Sequence, residues 1–114
     1  MVSYPLSAPR LPRAYYHTVA YKDPDAVMPY RINWDTLLPH GDAIATATST
    51  AYVHGSTTAT TTDITVDSTT STDRTTTTVL STGLDNVDYD ITVHVVTDAG
   101  YEDDRTMMIR CTHL

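Results

Sequence analysis

The chain has 114 residues, room for one domain with a modest core; 40% are apolar, Phe is absent, and eight Tyr and the single Trp34 supply the ring area. Thr is the dominant residue while Lys and Glu each occur once, so strand-favouring β-branched residues are plentiful, strong helix formers are scarce, and a helical bundle is a poor fit. A net charge of −7 argues against nucleic acid as a partner, because such a surface repels a phosphate backbone.

Residues 1–14 carry Pro5, Pro9 and Pro12 with no periodic pattern, and read as an extended N-terminal arm ahead of a domain over residues 15–114. Residues 1–21 contain Arg10 and Arg13 and no carboxylate, a net of +2; the remainder holds five basic and fourteen acidic groups, a net of −9. Tyr4, Arg10, Arg13, Tyr15 and Tyr16 are of the types that interfaces favour, and form the candidate partner-binding set. The arm is expected to be ordered by a neighbour, either another protein or a further copy of this chain, whose acidic body offers complementary charge.

The rest of the chain reads as short strands between turn signals. Tyr15–Tyr21 is a first strand, closed by Lys22-Asp23-Pro24-Asp25. Met28–Asp35 alternates, with Met28, Tyr30, Ile32 and Trp34 on one face. Pro39-His40-Gly41-Asp42 turns into the Ala/Thr run Ala43–Val53, which His54-Gly55-Ser56 ends. Asp63–Asp67 and Arg74–Ser81 are further strands, so the Thr-rich centre is expected to fold and not to form a disordered stalk. In Tyr89–Thr97, Tyr89, Ile91, Val93 and Val95 share a face; Ala99-Gly100 turns the chain, and Thr106–Thr112 closes it. Seven or so strands at this spacing predict an all-β, immunoglobulin-like (fibronectin III-like) sandwich with Trp34, Ile32, Tyr89, Ile91 and Val93 in its core. The run Asp85 to Ile91 resembles the segment that forms a tyrosine corner in immunoglobulin domains, with Tyr89 as the corner residue and Ile91 where a disulfide cysteine would stand.

Chemistry is sparsely represented. Cys111 is the only cysteine, so no intrachain disulfide is expected. Cys111 and His113 lie two apart and would share a strand face, but a terminal Cys-x-His without an orienting third group is a weak nucleophile motif. The five His are at 17, 40, 54, 94 and 113, with no zinc-ligand spacing. The acidic turns at Asp23/Asp25, Asp85/Asp88/Asp90 and Glu102/Asp103/Asp104 match no calcium-loop spacing and read as solvated turns. No catalytic residue, metal or cofactor is expected. Met1–Ala20 lacks the apolar core of a secretory signal and Ala43–Thr62 is too polar to span a bilayer, so a chain made in the cytoplasm, with no membrane partner, is the expectation.

The run Tyr21-Lys22-Asp23-Pro24-Asp25 followed by Tyr30-Arg31-Ile32-Asn33-Trp34 resembles a family of small proteins in tailed-phage genomes. Gly41-Asp42, the Thr75–Thr78 run and the closing Arg105–Arg110 segment match its later features, so the resemblance spans residues 21–111. It implies an immunoglobulin-like virion component without enzymatic activity, a fibre–tail adaptor or a head-decoration protein, in multiple copies and bound to tail, neck or fibre subunits. A carbohydrate- or cell-surface-binding module is the alternative from another class. The longer basic N-terminus, and the missing tryptophan near Ser49–Tyr52, depart from the family pattern.

Overall fold

The computed structural model describes residues 19–36, 38–60 and 63–114. Seven strands follow in chain order: β1 (Val19–Lys22), β2 (Met28–Asn33), β3 (Ile44–Val53), β4 (Ile64–Ser71), β5 (Thr75–Thr82), β6 (Val87–Thr97) and β7 (Glu102–Cys111). They form a four-stranded sheet, β1-β7-β6-β3, and a three-stranded sheet, β2-β5-β4. Every pairing is antiparallel except that of β1 with β7. This is an immunoglobulin-type sandwich whose first strand has joined the sheet of the third, sixth and seventh.

The alternation in β2 and β6 places the core as expected. Ile32 and Trp34 are buried while Arg31 and Asn33 are exposed; Tyr89, Ile91, Val93 and Val95 are buried from β6. Trp34 is completely inaccessible, and its indole Nε1–H donates to Thr76 Oγ1 at 3.0 Å across to β5. Arg105 covers the open end of the ring, its guanidinium carbon 5.2 Å from the ring centroid, where the π face attracts a cation.

The Thr-rich centre is folded, and its hydroxyls are part of the interior. Thr76 and Thr78 are both buried on β5. Thr78 Oγ1 meets Ser49 Oγ of β3 at 2.9 Å, and Thr69 Oγ1 of β4 donates to the same Ser49 oxygen at 2.8 Å. Three strands of two sheets are thereby linked through satisfied hydroxyls, which removes the cost of burying them.

The corner also forms. The backbone N–H of Leu84 donates to the Tyr89 hydroxyl at 2.9 Å, and burial pushes that phenol's pKa up.

Several boundaries differ from the pattern reading. β2 ends at Asn33, because Trp34 N–H already donates to Arg74 O and the chain turns. β4 runs on to Ser71, its threonines pairing with those of β5 past a bulge between Val66 and Ser68. β7 begins at Glu102 and not at Thr106, since Glu102–Arg105 pair with β6 despite their charge. Of the first strand, Val19–Tyr21 is seen as strand and Lys22 extends it; residues 15–18 lie outside the described residues, as do the arm and its boundary at residue 14.

Candidate interaction surface

Because β6 points Tyr89, Ile91 and Val93 inward, it points Asp88, Asp90, Thr92, His94 and Val96 away from the core. The register extends this outer face across the sheet in rows. Tyr21 of β1, Arg110 of β7 and Asp88 form one row, and Val19, Met108, Asp90 and Tyr52 the next. Farther along, Asp104 stands beside His94 and Thr48, and Glu102 beside Val96 and Thr46.

Charge on this face is mostly acidic and organised by partners. Arg110 Nε donates to Asp88 at 3.1 Å. His54 Nδ1 sits 3.1 Å from Asp90 Oδ1, and Asp90 is only 1% exposed although it lies on the outer face. His94 is held between two carboxylates, with Nδ1 2.5 Å from Asp104 and Nε2 2.9 Å from Glu102. Only an imidazolium donates from both nitrogens. Partial burial opposes that charge, yet the two acids outweigh it and the His94 pKa is raised. Val19 and Tyr21 leave half-exposed apolar area at the β1 edge of the same face.

At one end of the sandwich, Asp23, Asp25 and His113 bring their ligand atoms within 4.8 Å of one another. Asp23 already accepts the backbone N–H groups of Asp25 and Leu114, which lower its pKa. That is a turn satisfied by its own backbone. At the other end, Pro39, His40, Asp42, Asp98 and Tyr101 line an open groove. Asp42 is engaged there by the Thr97 side chain and by the N–H groups of Ala43 and Ala99, which lower its pKa.

Cys111 and His113 do not share a face. Cys111 ends β7 fully buried, and burial raises its thiol pKa, with the neighbouring Lys22 charge only partly opposing. His113 lies beyond the strand, exposed, 3.8 Å from Asp23. A thiol that resists ionisation is a packing group.

Sequence reasoning missed Lys22. It is 1% exposed, and its ammonium donates to the carbonyls of Asp23 at 2.9 Å and Thr82 at 2.5 Å, fastening β1 to the end of β5. Desolvation lowers its pKa against the pull of nearby negative groups. As the chain's single Lys in a stretch of Asp, it carried a signal of special placement but none of location. The candidate set Tyr4, Arg10, Arg13, Tyr15 and Tyr16 lies outside the described residues.

Residues 22–110 match the model of the family described as podophage GP4 fiber-tail adaptor protein gp77. The chain belongs to that family. No curated protein matches it. The matched span runs from the buried Lys22 to Arg110, and so takes in the whole sandwich except most of β1 and the last residues; residues 1–21 lie outside it. Among the described residues no helix is long and apolar enough to cross a membrane.

Proposed function

We propose that the chain is a non-enzymatic structural adaptor of a podophage virion, seated where fibres join the tail and present there in several copies. The family match across residues 22–110 carries this reading. The architecture supports it: a sandwich with a fully buried Trp34 and its corner intact is a rigid spacer, and its outer sheet face offers a broad patterned surface. The match favours the fibre–tail junction over head decoration.

In this reading the arm is the second contact element, with Arg10 and Arg13 pairing to carboxylates of a neighbour and Tyr4, Tyr15 and Tyr16 giving anchoring area. Prolines lower the entropy lost when such a segment docks. The test is assembly in the absence of the chain. Particles made without it are expected to have complete heads and tails but no fibres. Fibres attached at normal number would overturn the reading.

A further inference from the structure

We infer that Arg31, on the outer face of the three-stranded sheet, seats in the loop-end groove beside Asp98 and Tyr101 of a second copy of this chain. The inference rests on the reading that the chain works in several copies, and it names a contact between them.

The two surfaces are complementary in charge. Among the described residues, Arg74 pairs with Asp35 and Arg110 with Asp88, Arg105 lies over Trp34 and donates to Asn33 O, and Lys22 is buried on two carbonyls. Arg31 is exposed, and its guanidinium bonds to none of the described residues. The rows that surround it, Pro29–Val79–Ser68, Arg31–Thr77–Thr70 and Asn33–Thr75, hold no carboxylate. Asp98 is the counterpart. It is exposed at the β6–β7 turn, its N–H donates to Ala43 O, and its carboxylate bonds to none of the described residues. Glu102 and Asp104, close by in sequence, are already held by His94.

Shape matches charge. The neighbours of Arg31 in those rows are all shorter side chains, so its guanidinium projects above the sheet. The groove is a recess lined by Asp98 and by Tyr101, which is 43% exposed. A guanidinium lodged there donates two parallel hydrogen bonds to the carboxylate while it lies on the phenol ring. The recess is also preformed. Arg74 donates to the Asp35 side chain and to the carbonyls of Leu38 and Asp42, tying the β2–β3 loop to the β4–β5 turn. Asp42 Oδ1 accepts the N–H groups of Ala43 at 2.9 Å and Ala99 at 3.2 Å, tying the same loop to the β6–β7 turn. Little ordering entropy therefore opposes docking.

Orientation decides for a second copy over the chain's own body. Arg31 points to solvent from the three-stranded sheet, on the side opposite the buried Ile32, whereas Asp98 and Tyr101 join two strands of the other sheet. The guanidinium thus faces away from its own groove. Because the projecting arginine and the recess are different surfaces, the contact is head-to-tail and builds a ring if the rotation closes, which suits a component set around a tail.

The test is a charge swap in the full-length chain, followed by sedimentation at low and high salt. The variants are Arg31→Glu, Asp98→Arg, and the double swap Arg31→Glu/Asp98→Arg. All three change exposed side chains, and near-UV circular dichroism confirms their folds. Wild type is expected to self-associate, more weakly at high salt. Each single variant should associate about tenfold or more weakly, because it sets like charges against each other. The double swap should recover most of the wild-type association. Asp25→Arg, at the opposite end of the sandwich, changes net charge as much as Asp98→Arg and should leave association unchanged. A monomeric wild type, undiminished association of a single variant, a double swap no better than the singles, or an equal loss from Asp25→Arg overturns the proposal. None of these results bears on the adaptor reading, which stands or falls on fibre attachment.

Discussion

The amide of Leu84 donates to the hydroxyl of Tyr89, 2.9 Å away and five residues on, and this bond ties the β5–β6 connection to the strand that anchors the core. Tyr89 is completely buried, so its hydroxyl has no water to fall back on. Tyr89→Phe is therefore expected to cost about 1–3 kcal/mol, the loss of the bond that the buried hydroxyl makes to the Leu84 amide. Urea melts of the two proteins check this, and an unchanged midpoint would mean that the corner adds nothing to stability.

Trp34 is the larger test of the core. Its removal opens a cavity between the sheets, takes the indole donor from Thr76 Oγ1 and removes the ring beneath Arg105, which keeps its bonds to Asn33 O and Thr36 Oγ1. Trp34→Ala should cost about 3–5 kcal/mol, a large part of a small domain's total. Thr76→Val keeps the shape and removes only the acceptor of the indole N–H, so a loss of about 1–3 kcal/mol is expected from it.

Gly83 combines a positive φ of 111° with a close approach: a Cβ there would lie 2.7 Å from Cys111 Sγ. Gly83→Ala is expected to destabilise by more than the 1 kcal/mol or so of a strained backbone alone. Adding Cys111→Ala should recover the steric part and leave the backbone part, a non-additivity that a double-mutant cycle measures directly.

His94 gives the domain a pH signature. Its folded pKa is raised above the ordinary value near 6.5 by Asp104 and Glu102, acting against partial burial. The stabilisation is therefore fully present below about pH 6.5 and is lost as pH rises through the folded-state pKa. An NMR titration should place the His94 ring above its unfolded value, and Asp104→Asn should bring it down. A ring that titrates at the ordinary value in wild type would contradict the clasp.

The parts of this molecule that follow a local period are legible in its sequence. Tyr89 to Val95 and the Ile32–Trp34 end of the second strand alternate every second residue, so their buried faces follow from spacing. The same period puts Met28 on the core face, yet it is exposed at the strand's start, and the corner tyrosine is legible through its resemblance to immunoglobulin domains. What depends on pairing between distant segments is not legible. Glu102 and Asp104 read as part of a charged loop, yet they form strand, because pairing with β6 brings His94 between them. Lys22 reads as a turn residue until β1 lies parallel to β7 and the ammonium turns inward onto Thr82. Thr76 and Thr78 read as half-polar strand, and their burial depends on Trp34, just past β2, and on Ser49 of β3.

The most direct test of the account is a reconstruction of the intact phage tail with its fibres attached. The account predicts a seven-stranded sandwich, fitted by the Trp34 core and the β1-β7-β6-β3 sheet, repeated around the tail and lying between tail and fibre subunits. Finding that sandwich on the head shell, or finding the fibre bases seated on the tail with no such domain between, would contradict it.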